Sequence, residues 1–252
     1  MDMKTILITQ ARYGSTRLPG KVLKEISGKS LLEIHLERLK KCTKVSKIIV
    51  ATTDSDQRIY DYSIAWGFEA YRGSENDVLD RFYQALKNEH ADWVVRVTSD
   101  CPLIDPILVD EVITFALSNN YDYVSNGLIA HYPDGQDVEI FKFSALETAW
   151  RNAKRTSERE HVTPYIRNNA DGNGENLFNT CNYPCKEDFS HIRMTVDEPE
   201  DFDVIESLIH KLGTDKTWTE YTDYMIDHNL TKLNERIVRN EGFLKSLKKD
   251  SQ

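Results

Sequence analysis

Three cations stand close together near the start of the chain, Arg12, Arg17 and Lys21, within the stretch QARYGSTRLPGK at 10–21. The stretch follows the apolar run Ile6-Leu7-Ile8, which reads as a buried strand opening onto a binding loop. Ala11, Gly14, Ser15 and Gly20 lie among the cations, so the backbone can approach a ligand and successive N–H groups can form an anion nest. Arginine forks match phosphate oxygens in pairs, and a lysine adds a mobile point charge. A polyphosphate cradle is the chemistry that this composition suits. The alternative is a surface loop with solvated cations, but their confinement between a core strand and the next helix favours the cradle. The glycines fit neither G-x-x-x-x-G-K-[ST] nor G-x-G-x-x-G, so the spacing implies phosphate without naming a nucleotide.

Two carboxylates complete the first constellation. Asp100 follows the strand-like run WVVRVT, where core packing gives an aspartate little to do. Asp197 follows Ile192–Val196, a second run expected to enter the same sheet. Paired acids facing a phosphate cradle suit Mg²⁺, which takes one or two protein carboxylates and fills its octahedron with phosphate oxygens and water. Taken singly, each has a structural reading, a turn cap before Pro102 and a helix N-cap. Cys101 precedes Pro102, has no assignable histidine partner, and reads as a lining residue. Cys181 and Cys185 lack C-x-x-C spacing, so a zinc site with His161 or His191 is disfavoured.

The chain that must position these groups has 252 residues, 40% hydrophobic and 29% charged, which suits one α/β domain with a sizeable core. Its net charge of -9 disfavours nucleic acid or an anionic membrane as partner and suits a small anionic ligand met by a local basic loop. No apolar run approaches the roughly 20 residues of a membrane helix. Met1-Asp2-Met3-Lys4 leads straight into a strand without a leader pattern, and four scattered cysteines suit a reducing cytoplasm.

Strands are expected at 47–52, 68–71 and 93–98, alternating with helices around 29–42, 60–65 and 77–86. Such a right-handed βαβ succession, with a mainly parallel sheet flanked by helices, places ligands beyond its C-terminal strand ends, where the cradle, the segment Arg72–Asn76 and Asp100 converge. Beyond it, strands are expected at 121–125, 138–143, 177–182 and 192–196, and helices at 107–117, 145–153, 158–167 and from Pro199 to about His210. Residues 1–212 read as the catalytic domain and 213–252 as a small helical extension packed on it.

These segments, QARYGSTRLPGKVL, RGSENDVLDR, RVTSDCPLIDP, PDGQDVEIF, SEREHVTPYI, RMTVDEPEDF and RNEGFLKSL, cover nearly the whole chain in order. Together they resemble the cytidylyltransferase family of spore-coat polysaccharide biosynthesis protein F, related to the enzymes that make CMP-Kdo and CMP-nonulosonates. The resemblance implies a Rossmann-like, mainly parallel sheet of the nucleotide-diphospho-sugar transferase type that binds CTP at the first loop. It implies Arg12, Arg17 and Lys21 on the triphosphate, Arg72, Gly73 and Ser74 by the cytosine with Asp77 also on the nucleotide, Asp100 and Asp197 on Mg²⁺, and a homodimer. Ser99 departs from a pattern that often has glycine before the aspartate.

The expected reaction is attack of a sugar-acid hydroxyl on the α-phosphorus of CTP, releasing pyrophosphate for surface glycan synthesis. Arg12, Arg17, Lys21 and Asp100 form the expected catalytic set. Acceptor contacts are expected from His131, Asp134, Gln136, Asp137 and Glu139, with Arg159 offered to the acceptor carboxylate and His161 beside it. Two rivals remain: a nucleotide-sugar glycosyltransferase, whose Asp-x-Asp metal motif finds its nearest match in Asp54-Ser55-Asp56, and a non-catalytic nucleotide-binding partner.

Overall fold

Along the first strand, side chains divide alternately between two buried layers, with Ile6 and Ile8 on one face and Leu7 on the other. The computed structural model describes residues 3–172 and 174–250. Its strands are β1 (Thr5–Gln10), β2 (Glu25–Ile26), β3 (Lys29–Ser30), β4 (Lys47–Thr53), β5 (Glu69–Gly73), β6 (Trp93–Thr98), β7 (Tyr123–Ser125), β8 (Glu139–Lys142) and β9 (Thr180–Asn182). Seven of them form one sheet in the order β5-β4-β1-β6-β8-β7-β9, while β2 and β3 make a small antiparallel ribbon. The half from β5 to β6 is parallel, β8 runs antiparallel to both its neighbours, and β9 is parallel to β7. The sheet is therefore mixed and mostly parallel.

The helices are α1 (Leu31–Leu39), α2 (Gln57–Ala65), α3 (Val78–Leu86), α4 (Pro106–Leu117), α5 (Phe143–Asn152), α6 (Thr156–His161), α7 (Pro164–Asn168), α8 (Pro199–Leu212), α9 (Trp218–Asp227) and α10 (Glu241–Asp250). Helices α1 and α4 cover one face of the sheet, with Leu36, Leu108 and Val112 against Leu7 and Val95. Helices α3 and α5 cover the other, with Phe82 and Leu146 against Ile6 and Val94. Burying each such side chain stabilises by roughly 1.5–3 kcal/mol before chain entropy is set against it. A third cluster joins α8 and α9 to Ile192, Met194 and Val196. Helix α10 packs on α6.

Side chains from the connecting loops start several helices. Ser30, Asp56 and Asp77 accept from the backbone N–H three residues on, and Pro106 and Pro199 occupy first turns where a missing N–H costs nothing. Among the described residues no helix is long and apolar enough to cross a membrane.

Two expectations change. Residues 192–196 do not enter the sheet. They make an isolated bridge between Asp134 and Arg193, and Val196 N donates to Asp100 O at 2.7 Å. Gly135 explains the close approach: with φ at +105°, a Cβ there would lie 2.7 Å from the Met194 carbonyl carbon. The helix expected over 158–167 breaks into α6 and α7, because Val162 adopts φ +74° and Pro164 opens the next helix.

Candidate active site

Beyond β1 the chain turns back tightly on itself. Tyr13 O accepts from Ser15 N at 2.8 Å and Gly20 N at 3.0 Å, while Tyr13 N donates to Asp56 Oδ2 at 2.5 Å. Gly20 sits at φ +67°, and a Cβ there would meet the Tyr13 ring at 2.8 Å, so the closure needs glycine. The turn drives Lys21 inward from Gly20 into a 3-10 turn at Lys21–Leu23. Its ammonium donates to Asp100 Oδ2 at 3.0 Å, Asp197 Oδ1 at 2.8 Å and Val196 O at 2.7 Å. Three charged groups from three distant segments meet at one nitrogen.

Their charges hold one another. Burial pulls the Lys21 ammonium down, but the two carboxylates outweigh it and leave its pKa above the ordinary value. Burial likewise pushes Asp100 up, yet Lys21, with a hydrogen bond from Thr98, keeps it well below the usual carboxylate range. Arg17 closes the group from outside, with Nη2 2.9 Å from Asp197 and Nη1 3.3 Å from both Glu198 and Glu241. Arg12 reaches Glu75 at 3.4 Å with both side chains half exposed. All these cations line one cleft of about 410 Å³. Each has a carboxylate that an arriving phosphate can replace.

Asp197 is aimed by a buried network. Arg193 donates to Asp201 at 2.8 and 3.0 Å, to Asp134 at 2.5 Å and to Asp197 Oδ2 at 3.0 Å. Asp201, fully buried, also accepts from Asn234 and from the backbone N–H groups of Asp197 and Glu198. From the opposite side, fully buried His35 bonds Cys101 O through Nδ1 and the Thr9 hydroxyl through Nε2, both at 2.9 Å. It sits beneath the end of β6. Cys101 itself lines the cleft with its thiol pushed up by burial and by Asp100.

Several expected residues lie elsewhere. Arg72 turns outward, hydrogen-bonds Gln57 and stacks over Tyr60. Ser74 and Asp77 are used at the start of α3, where Ser74 Oγ accepts from Asp77 N at 3.0 Å. Gly73 instead makes room for Arg81, whose side-chain carbons lie 3.1–3.3 Å from where a Cβ would stand. Arg81 was missed by the sequence reading. It is buried in the cleft wall with Nε and Nη1 unpartnered, and burial followed by the charge of Arg12 lowers its pKa to about 10. Gly14 lies in the first loop outside the cleft lining, which includes its neighbour Ser15 and also Ala11.

At the far end, Asp134, Asp137, Glu139 and His161 line the cleft, but Gln136, His131 and Arg159 do not. Gln136 is fully buried, its amide accepting from Asp105 N at 2.9 Å and donating to Leu103 O at 3.0 Å, so no group is left for a sugar. Arg159 is committed to Asp77 and to Trp150 O. His131 contributes backbone contacts to Ile129 and Phe189. Arg96, Arg167 and Arg193 were not foreseen. A charge inside the apolar run WVVRVT is the signal that marked Arg96, since a strand core tolerates an arginine only with partners.

The possible Asp-x-Asp metal motif has another use, because Asp56 accepts from Tyr13 N and caps α2. Comparison with known proteins supplies a family and a fold. A family profile described as cytidylyltransferase matches residues 6–236. Spore coat polysaccharide biosynthesis protein SpsF of Bacillus subtilis is 33% identical over 222 residues, covering 82% of this chain and 87% of that one. A cytidylyltransferase structure from Leptospira borgpetersenii serovar Hardjo-bovis gives a TM-score of 0.84 at 32% identity, covering 94% of this chain and 100% of that one. CMP:2-keto-3-deoxy-manno-octonic acid synthetase, in complex with CTP, gives 0.63 at 19% identity over 82% of this chain and 99% of that one. A loop rich in cations, a lysine between Asp100 and Asp197, and a family match along most of the sequence lead to one assignment: the chain belongs to the cytidylyltransferase family and is a nucleotidyltransferase.

Proposed function

We propose that this cytidylyltransferase transfers CMP from CTP to a sugar acid, releasing pyrophosphate, in the synthesis of a surface glycan. The observation that carries the reading is Lys21 Nζ held between Asp100 and Asp197 in a cleft that Arg12 and Arg17 also line. The acceptor hydroxyl oxygen bonds to the α-phosphorus, the bond to the β-phosphate breaks, and the hydroxyl proton leaves to solvent. Lys21 and Arg17 exchange carboxylates for phosphate oxygens and stabilise charge on the transferring group. No covalent bond to protein is needed, so positioning and fixed charge supply the acceleration.

Two carboxylates converging on one ammonium are oxygen donors of the kind Mg²⁺ takes, so Asp100 and Asp197 would hold it. When bound, it would neutralise phosphate charge and orient the α-phosphate. The loop 11–20 and Arg81 then serve the nucleotide, and Asp137 and Glu139 the acceptor. The SpsF relative supports the glycan assignment by its name, and the CTP-bound synthetase of similar fold supports CTP with a keto-deoxy sugar acid. With this reading go a cytoplasmic homodimer and residues 213–252 as an extension, supported by α9 packing on α8 and α10 on α6.

The test is pyrophosphate release from CTP, UTP, GTP and ATP with magnesium, run against a panel of acidic sugars including Kdo and nonulosonates. CTP-selective release dependent on one acid is the expected result. Binding of a sugar nucleotide with no triphosphate turnover would overturn it.

A further inference from the structure

Buried polar atoms in folded proteins almost always have partners, so those that lack one mark where a ligand is due. Four of the six unpartnered buried side-chain atoms among the described residues belong to three cleft residues: Arg81 Nε and Nη1, Arg96 Nε, and His161 Nε2. Arg81 lies towards Arg12. The other two share the far end of the cleft with Glu139 and Arg167.

The charges there do not cancel. Glu139 accepts from Arg96, from Thr163 Oγ1 at 2.6 Å and from Tyr123 at 2.6 Å, so it is fully used. Arg167 makes no hydrogen bond or ion pair through its side chain among the described residues, and its guanidinium lies over the Phe243 ring, 5.4 Å from the centroid. Neighbouring Glu160 faces Lys249 at 3.9 Å. The imidazole of His161, held neutral by burial and the nearby arginines, meets the same Phe243 ring edge-on at 5.1 Å. Two guanidinium groups against one carboxylate leave one positive charge, in a pocket roofed by an aromatic ring. Val162 at φ +74° is the strained residue that turns His161 and Thr163 to the cleft and starts α7 in the direction that brings Arg167 in.

We infer that Arg167, with His161 Nε2 and Arg96 Nε, receives the carboxylate of the acceptor, under a lid formed by Phe243. This assignment rests on the sugar-acid reading above and gives that reading its selectivity: neutral sugars leave the charge unanswered. It replaces Arg159, whose guanidinium is already committed.

The experiment measures calorimetric binding of Kdo, and of any acid that turns over, to the wild-type chain and to Arg167→Met, with CTP binding measured in parallel. Arg167→Met should weaken the acid at least tenfold and leave CTP affinity within twofold, which also reports that the variant is folded. Arg167→Lys should recover part of the loss, and the carboxamide of the same sugar should bind both proteins equally. Turnover of a sugar acid with an unchanged KM in Arg167→Met would overturn the carboxylate assignment and leave the proposed function standing. Loss of acid binding in Arg167→Met with no turnover by wild type on any acid would support the subsite while overturning the transfer reaction. No binding of any panel acid by wild type would overturn both.

Discussion

Where the first loop lines the cleft, cations are paired with carboxylates that remain a fifth to a half exposed, so water, metal or phosphate can take over either partner. Beside it, the Arg193–Asp201–Asn234 group holds the same types of charge with every atom committed and Asp201 sealed from solvent. The first arrangement is built for exchange and the second for support. They share one residue, Asp197, which Lys21 and Arg17 hold from one side and Arg193 from the other. The difference teaches where a substitution should cost activity and where it should cost the fold.

Arg193→Met is the strongest way to test that division. It leaves Asp201 charged and buried with only neutral donors, and breaking a buried pair in this way typically costs about 3–5 kcal/mol. Urea unfolding should show a fall of that size in midpoint stability, with turnover lost as a consequence of the unheld Asp197. A loss below about 1 kcal/mol would mean that Asn234 and the backbone N–H groups suffice for Asp201.

Lys21→Met should do the reverse. Removing a fixed charge from a transferring group typically costs about 10²- to 10³-fold in turnover. Stability should fall by less than in Arg193→Met, because Asp100 and Asp197, each more than a fifth exposed, regain water or a cation. Equal destabilisation by Lys21→Met and Arg193→Met would erase the distinction between the two groups.

The meeting of the first loop with Asp100 was legible because its signal is local, whereas Arg72, Ser74 and Asp77 make other contacts. One loop carries three cations and the glycine at 20, and β6 was bounded residue for residue, since apolar runs ending at Ser99-Asp100 leave little choice. Asp197 was picked out through an incorrect premise, as its segment bridges the Asp134 loop instead of joining the sheet. The far end of the cleft was poorly legible for a physical reason. Polar residues in a loop look available for ligands, yet Gln136 is spent as internal scaffold, while Arg167 was read as the tail of one long helix. Its placement depends on a left-handed Val162 that no sequence rule demands of a β-branched residue. Arg81 was hidden in the same way, sitting between Leu79 and Phe82 on a helix where its burial follows from packing against β5.

The support beneath Asp100 carries a pH signature. Burial lowers His35 from 6.5 to about 4, against a weaker opposing effect from its bond to Cys101 O. Between those values the unfolded chain binds more protons than the folded one, so stability should rise with pH through this window and level off above it. The full span corresponds to about 3 kcal/mol, lost as pH falls toward 4. His161, also lowered to about 4 and chiefly by burial, contributes in the same direction. His35→Gln should therefore flatten the stability profile between pH 4 and 6.5 without abolishing its slope. An unchanged slope would remove His35 from the account.

The smallest effect sharpens the comparison most finely, because it separates two arginines only eight positions apart in the sequence. Arg159 binds Asp77 Oδ2 through Nε at 2.9 Å and Nη2 at 2.5 Å, and Trp150 O through Nη1 at 2.7 Å, so it ties α6 to the start of α3 and the end of α5. Asp77 keeps its capping bond to Asp80 N without it. The pair is partly exposed, so Arg159→Ala should cost only about 1 kcal/mol in urea unfolding. Its KM for the acceptor should stay within twofold of wild type, whereas the Arg167 substitution should weaken the acid. If Arg159→Ala instead raised the acceptor KM tenfold at unchanged CTP affinity, the salt bridge to Asp77 would be a resting state that opens for substrate. The exchangeable kind of pairing would then extend beyond the first loop, and α6 would belong with the binding machinery.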